Sequence, residues 1–465
     1  MFVPLNKSGT NKNFSLWPPC LRGEIGWAQT PSRGWSVGIW IQGGKLVDPV
    51  RNRVEEQDLL IEGERVVRIL PTGVFSEAGP RLRRIDARNR LVVPGLVDMH
   101  VHLREPGYEH KETIATGSLS GVAGGFTALA CMPNTRPVND RGAVTEFILA
   151  RAREANVCRV YPIAAITLAQ QGETLTDFAE LRKAGAVGVS DDGQPVKKRE
   201  LMRQAMKLGR SLGLAVISHC EDLSLSAGGV MHEGAVSARL GLRGIPAASE
   251  EVMVRREISI AQETGFPVHI AHVSTAGSVE LIRRAKEEGI PVTAETAPHY
   301  FSLDHRAVEE YNTCAKMNPP LREPEDVEAI KKGLAEGVID VIATDHAPHS
   351  EAEKNVDFEQ APFGIVGLET AVPLTLRLIQ EGILTWPEAV QKLSYLPATL
   401  LGVAGGVLRE GAVADLAILD PEYTYVMKSE EMRSKSKNSP FIGWNMQGIN
   451  VMTMVGGRIV WERNV

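Results

Sequence analysis

Between residues 95 and 345, short apolar, β-branched runs alternate with longer segments whose apolar residues recur every three or four positions. The short runs fall at 95–102, 127–132, 159–166, 186–191, 215–220, 267–273, 291–295 and 338–345. The longer segments include 143–155, 198–212, 250–264, 278–288 and 325–336. Compact apolar runs of this length read as buried strands, and the three-to-four spacing reads as amphipathic helix. Parallel strands need a crossover between them, so strand–helix alternation predicts parallel β/α units. Eight such units predict a TIM-type (β/α)8 barrel.

The two chain ends follow a different pattern. Short β-like runs appear at Val37-Gly38-Ile39-Trp40-Ile41, Leu59-Leu60-Ile61 and Val66-Val67-Arg68-Ile69, with turn signals at Gly43-Gly44 and Glu62-Gly63. The C-terminal region repeats the style in Ala414-Asp415-Leu416-Ala417-Ile418-Leu419 and Val451-Met452-Thr453-Met454-Val455, the latter followed by Gly456-Gly457. The ends are therefore expected to pair into one small β-sandwich-like domain. The predicted organisation is a disordered extension over 1–34, a composite β domain from 35–93 and 403–465, and the barrel over 94–402. The first of these is rich in Pro, Gly, Ser, Asn and Thr and lacks any apolar period.

Composition narrows the function. With 465 residues and 43% hydrophobic content, the chain can bury a large core, and 51 basic against 57 acidic residues give a net charge of −6. No basic patch of the kind that binds nucleic acid or anchors to a membrane surface is present. Apolar stretches fall short of the roughly 20 residues that span a bilayer. The five cysteines, Cys20, Cys131, Cys158, Cys220 and Cys314, form no C-x-x-C pair, which argues against a disulfide framework or a cysteine zinc site and fits a reducing cytoplasm.

A barrel of this kind carries its chemistry at the C-terminal ends of its strands. The first predicted strand ends in Asp98-Met99-His100-Val101-His102, and if 91–103 is extended, the period of two turns Asp98, His100 and His102 to one side. Strand four ends in Asp191-Asp192-Gly193, strand five in His219-Cys220-Glu221-Asp222, strand six in His272-Val273-Ser274, and strand eight in Asp345-His346-Ala347-Pro348-His349. A lone histidine ending a strand is more often structural than a ligand. Four histidines and several acids on the same rim point instead to a metal centre. Imidazoles with carboxylates suit a pair of borderline ions such as Zn2+ better than Mg2+ or Ca2+. Either Asp191 or Asp192 is placed to bridge such a pair, and water held between the ions would become a nucleophilic hydroxide near neutrality. Asp345 would take the hydroxide's proton and pass it to a leaving nitrogen, which is a design for amide hydrolysis.

Asp98-Met99-His100-Val101-His102 ending a first barrel strand resembles the amidohydrolase superfamily. The chain as a whole is similar to the bacterial class I dihydroorotases in Leu103-Arg104-Glu105-Pro106-Gly107, Lys111-Glu112-Thr113, Met132-Pro133-Asn134-Thr135-Arg136-Pro137, Asp191-Asp192-Gly193, Lys316-Met317-Asn318-Pro319-Pro320 and Ala361-Pro362-Phe363-Gly364, besides the histidine strings above. The resemblance implies reversible cyclisation of N-carbamoyl-L-aspartate to L-dihydroorotate, the third step of pyrimidine synthesis. It implies His100 and His102 on one zinc, His219 and His272 on the other, Asp192 as the bridge, and Asp345 as both ligand and acid/base. Arg104, Asn134 and His349 would meet the substrate carboxylate beside His102, with Asn318 and the backbone at Phe363-Gly364 on the ring. Homo-oligomers and association with aspartate transcarbamoylase are partner expectations of the same origin.

Related cyclic amidases bridge their metals with a carboxylated lysine, but 186–193 contains no lysine, so an aspartate bridge is expected. Dihydropyrimidinase, hydantoinase or allantoinase activity is the alternative enzyme reading, and a non-catalytic scaffold paralogue the alternative of another class. Segment 350–360 is either a solvated loop or a lid over the substrate. Asp98 is expected to orient one of the metal histidines.

Overall fold

The structure, a computed structural model, describes residues 38–74 and 82–463. The extension expected over 1–34 lies outside the described residues. Eight parallel strands form the barrel: Leu96–Val101, Phe126–Cys131, Arg159–Ala164, Gly188–Ser190, Ala215–Ser218, Val268–Ile270, Val292–Thr296 and Val341–Ile342, neighbours in that order. The ring closes where Val101 bridges His346 in parallel and His102 N donates to His346 O at 2.8 Å. All eight predicted strands are present; the second and seventh keep their length shifted by one residue, and the other six are shorter, their last residues turning into rim loops.

The predicted helices appear as Gly142–Ala155, Arg199–Leu212, Ala248–Thr264, Ala276–Glu287 and Pro324–Ala335. Local chemistry sets their limits. Thr275 accepts from Ser278 N at 3.1 Å at one N-terminus, and Pro324 occupies the first turn of another, where its missing N–H costs nothing. Inside the barrel, Val97, Met99, Ala128, Ala130, Ile163, Ile217 and Val341 pack a closed apolar plug beneath the rim. Among the described residues, no helix is long and apolar enough to cross a membrane.

The chain ends build a second sheet from Gly38–Asp48, Arg53–Glu62, Arg65–Pro71, Leu82–Asp86, Leu91–Pro94, Leu416–Val426, Asn445–Val455 and Arg458–Glu462. Ile41, Leu59, Ile61, Val92, Leu416, Ile418 and Met454 form its own buried cluster. Gly43-Gly44, expected as a turn, lies inside the first of these strands as a bulge, with a register shift between Ile41 and Gly44. Gly43 holds φ +69°, and its N–H is satisfied by buried Asp58 Oδ1 at 2.8 Å, so the glycine pair serves strand irregularity rather than chain reversal.

The apolar run from Leu91 onward, expected as one extended strand, is two strands in different sheets. Leu91–Pro94 pairs antiparallel with Leu416 to Leu419, and the barrel begins at Leu96. Gly95 is the joint. A Cβ there would sit 2.1 Å from Thr127 Oγ1, so only glycine lets the backbone pass at this point. Each half is buried in its own sheet, which explains why the sequence shows no break in hydrophobicity.

Candidate metal centre and active site

The barrel rim gathers six side chains from five strands. His100 is the penultimate residue of strand one and His102 follows the strand, Asp192 follows strand four, His219 strand five, His272 strand six and Asp345 strand eight. All six are buried. Asp192 is the hub: its carboxylate lies 3.4 Å from His100 Nε2, 3.6 Å from His102 Nε2, 3.6 Å from His219 Nδ1 and 3.6 Å from His272 Nε2. Asp345 Oδ1 stands 3.0 Å from His102 Nε2 and 3.5 Å from His100 Nε2. Two ligand groups result, His100–His102–Asp192 and Asp192–His219–His272, each with its donor atoms within 4.8 Å of one another.

This arrangement fits metal ions. His100 Nε2 is buried without a hydrogen-bond partner, and His219 Nδ1 faces His272 Nε2 at 2.7 Å, so lone-pair nitrogens converge where a cation would bind. Although burial works against it, His100, His219 and His272 hold the Asp192 carboxyl well below its usual range. Burial likewise opposes charge on His219, but Asp192 and Glu221 raise its pKa to about 10. The rim is also strained: Arg104, His272 and Asp345 hold φ of +62°, +35° and +47°. A non-glycine residue in that region costs on the order of 1 kcal/mol or more, and such strain concentrates at functional sites.

The far nitrogens of three of the histidines are held as well. Glu295 Oε1 meets His100 Nδ1 at 2.5 Å, Asn134 Oδ1 meets His102 Nδ1 at 2.8 Å, and Glu221 Oε2 meets His219 Nε2 at 3.0 Å. Glu295 is braced in turn by His269 Nε2 at 3.3 Å, whose Nδ1 lies 2.8 Å from Thr293 Oγ1. Sequence reasoning missed Glu295. Its signal was an acid at the end of strand seven, passed over because no histidine stands there.

Asp98, expected to orient a ring, does not touch one: its carboxylate accepts from His100 N at 3.1 Å and Thr344 N at 3.2 Å. It ties strand one to strand eight through backbone and leaves ring orientation to Glu295. Of the two strand-four acids, Asp191 turns toward strand three, accepting from Ile166 N at 2.8 Å and Thr167 N at 3.0 Å, while Asp192 enters the cluster. His346 lies outside the cluster, accepting from Gly367 N at 3.2 Å.

Beside the cluster is a second, cationic corner. Half-buried Arg104 donates to Pro348 O at 3.1 Å, and its Nη2 lies 3.3 Å from His349 Nε2. Burial lowers the Arg104 pKa to about 10, which still leaves it charged at neutrality. Asn134 also reaches Asp192 Oδ2 at 3.3 Å, and Asn318 donates to Glu221 Oε2 at 3.1 Å, so both stand at the edge of the ligand set. Phe363 O lies 2.8 Å from His349 Nε2, and Gly364 N donates to Lys316 O at 2.9 Å. At Gly364, φ is +151° and a Cβ would meet Ala347 O at 2.5 Å, so glycine lets this loop lie on the strand-eight loop. Segment 350–360 contains the short helix Glu351–Lys354 and is partly docked: Lys354 Nζ donates to Thr313 O at 2.9 Å and Pro362 O at 2.8 Å, and Phe358 is buried.

Another group, His232, His305 and Glu323, shares no residue with this cluster. Arg322 Nη1 donates to His232 Nδ1 at 3.3 Å, which leaves the ring's proton on Nε2 facing Glu323 and its lone pair already engaged.

A parallel barrel with two ligand groups sharing a carboxylate at its C-terminal rim defines the chain as a metal-dependent amidohydrolase. Residues 89–278 match the Dihydro-orotase-like family. The chain belongs to the dihydroorotase family: it is 51% identical over 427 residues to the Dihydroorotase of Pelobacter propionicus, covering 92% of this chain and 100% of that protein. It is 53% identical over 428 residues to the Dihydroorotase of Pelotomaculum thermopropionicum, covering 92% and 99%. Among solved structures, it is similar to the L-hydantoinase (dihydropyrimidinase) from Arthrobacter aurescens, with TM-score 0.80 and 26% identity over 92% of this chain and 96% of that one. A D-hydantoinase (dihydropyrimidinase) from Thermus sp. gives TM-score 0.77 at 25% identity, covering 91% and 95%. The chain is thus a cyclic amidohydrolase acting on a small molecule.

Proposed function

We propose that the chain interconverts N-carbamoyl-L-aspartate and L-dihydroorotate, the third step of pyrimidine (UMP) biosynthesis, with two zinc ions as cofactor. The observation that carries this reading is half-buried Arg104 beside the ligand cluster, with His349 at 3.3 Å: a charged, planar donor suited to a substrate carboxylate. Hydantoinase and dihydropyrimidinase substrates lack a carboxylate at the corresponding ring position, and identity near 50% to several dihydroorotases supports the same choice.

His100, His102 and Asp345 would hold one ion, His219 and His272 the other, and Asp192 both. Bound there, the ions supply Lewis-acid polarisation of the amide carbonyl and activation of water. The remaining work falls to the chain. Arg104, Asn134 and His349 anchor the substrate carboxylate beside His102, while Asn318 and the backbone at Phe363-Gly364 meet the ring. His100, His102 and His272 keep the Asp345 carboxyl below its usual range against the effect of burial, so it is ionised and able to accept a proton. In ring opening, Asp345 takes a proton from water as the hydroxyl adds to the carbonyl carbon, then delivers it to the nitrogen as the C–N bond breaks. Ring closure runs the same transfers in reverse. The buried rim keeps bulk water from competing for them.

Turnover of dihydroorotate, dihydrouracil and allantoin, measured with metal content on the same sample, tests the reading. Dihydroorotate is expected to be the best substrate and about two metal equivalents to be bound. A poor rate on dihydroorotate against either rival makes the chain a different cyclic amidase. No bound metal and no activity after zinc addition makes it a scaffold. On the family resemblance we also propose a cytoplasmic setting, homo-oligomers and association with aspartate transcarbamoylase. Light scattering of the chain alone and mixed with that enzyme tests the two assemblies.

A further inference from the structure

Residues 432–438 connect two strands of the composite sheet, Leu416–Val426 and Asn445–Val455, and belong to no strand themselves. Burial nevertheless alternates along them as on an extended chain: Met432, Ser434, Ser436 and Asn438 are buried, and Arg433 and Lys435 between them are exposed. Three of the inward positions are polar, and buried polar groups need partners. Ser434 Oγ donates to Glu112 Oε2 at 2.5 Å, and Ser436 Oγ donates to Lys111 O at 2.6 Å. Lys435 donates from its backbone N to Glu112 Oε1 at 3.1 Å and from Nζ to Glu109 O at 2.6 Å. These acceptors all lie on the loop after strand one, the loop that carries Arg104.

Asn438 reaches the other side of the substrate corner. Its Nδ2 donates to Ala347 O and to Gly364 O, both at 3.0 Å, and its Oδ1 accepts from His349 N at 3.0 Å. Its backbone O accepts from Val366 N at 3.0 Å. Carbonyl oxygens only accept and a peptide N–H only donates, so the amide has one possible orientation. The need for it comes from the close approach of two loops: a Cβ on Gly364 would meet Ala347 O at 2.5 Å. Two carbonyl oxygens brought to one buried place leave a desolvation cost unless a donor serves both, and an amide NH2 has a hydrogen for each.

We infer that residues 434–438 strap together the two loops that build the substrate corner, and that Asn438 is the positioning residue that sets the strand-eight loop at His349 and the backbone at Gly364. The inference rests on the dihydroorotase reading above, which puts the substrate against these loops. None of the Asn438 hydrogen bonds goes to the metal cluster or to Asp345, so its effect falls on substrate binding and not on proton transfer.

The test is steady-state kinetics of the zinc-loaded wild type and the Asn438→Ala, Asn438→Asp and Ser436→Ala variants on L-dihydroorotate, with metal content and thermal unfolding of each. Asn438→Ala should raise KM about tenfold or more while kcat stays within about threefold and metal content is unchanged, as expected for lost buried hydrogen bonds that serve binding. Asn438→Asp keeps the acceptor for His349 N but loses at least one donor hydrogen, so its KM should rise as well. Ser436→Ala should raise KM less, by about two- to fivefold. A KM for Asn438→Ala within about twofold of wild type overturns the inference, as does an Asn438→Asp variant that binds substrate as well as wild type. Loss of kcat or metal together with a lowered unfolding temperature also overturns it, since that is the mark of a structural role. If Asn438→Ala does not fold, Ser436→Ala decides: a raised KM at unchanged kcat upholds the strap, and an unchanged KM removes it. If the wild type itself fails to turn over dihydroorotate, the functional reading falls and the inference with it; if only the variants behave as wild type, the inference alone falls.

Discussion

Glu295 Oε1 lies 2.5 Å from His100 Nδ1, and both groups are fully buried. The carboxylate fixes the ring so that the unpartnered His100 Nε2 points at Asp192 and Asp345. A carboxylate behind a ligating histidine also raises the basicity of the nitrogen that binds the metal. Glu295 is thus bound to the centre although it sits on strand seven, which supplies none of the six cluster residues.

Glu295→Gln keeps the size of the side chain and removes its charge. Metal affinity should fall roughly 10- to 100-fold, in line with the loss of such supporting partners. Competition against a chelator, with metal content read at each step, checks this. Retention equal to wild type would mean that Glu295 is only a packing residue.

Asp345→Asn preserves the shape of the rim but cannot accept a proton. Turnover should drop by about a hundred- to ten-thousand-fold while most of the metal remains bound by the histidines and Asp192. Activity and metal content on one preparation measure both. A near-normal rate would assign the proton transfer elsewhere.

Lys392 offers a pH test away from the rim. Burial pushes its ammonium down from 10.5 to about 8, and its Nζ donates to Ile339 O at 2.6 Å. Between pH of about 8 and 10.5, the folded chain therefore binds fewer protons than the unfolded one, and the residue's contribution to stability rises with pH through that window. Below it, the full cost of a buried charge remains. Lys392→Met removes this dependence, so thermal unfolding should show the wild type gaining on the variant as pH is raised through the same window. Parallel curves would contradict the shift.

Gly95→Ala probes the joint between the two sheets. The added methyl would meet Thr127 Oγ1 at 2.1 Å and Cγ2 at 2.3 Å, in a packed interior with nowhere to move. Denaturant unfolding should show a loss of about 1–3 kcal/mol, the range for overpacking. An unchanged midpoint would mean that Thr127 swings clear.

The barrel and five of its six rim residues were legible in the sequence because both depend on local rules. Hydrophobic period separates strand from helix, and the strand-to-loop junction of a parallel barrel always lands on one rim, so His100, His102, His219 and His272 could be gathered from strand ends alone. What the sequence could not settle depends on which neighbour a side chain meets. Asp191 and Asp192 are adjacent acids of one type, and only the packing against Thr167 turns the first away and leaves the second to the histidines. Glu295 acts through His100, 195 residues away in the chain, a separation no periodicity encodes. The unbroken apolar run across Gly95 hides a change of sheet because burial is the same on both sides. Sequence determined the scaffold and the stock of ligands; the closing of the barrel decided which of them face one another, since that closure brings strands one, seven and eight together.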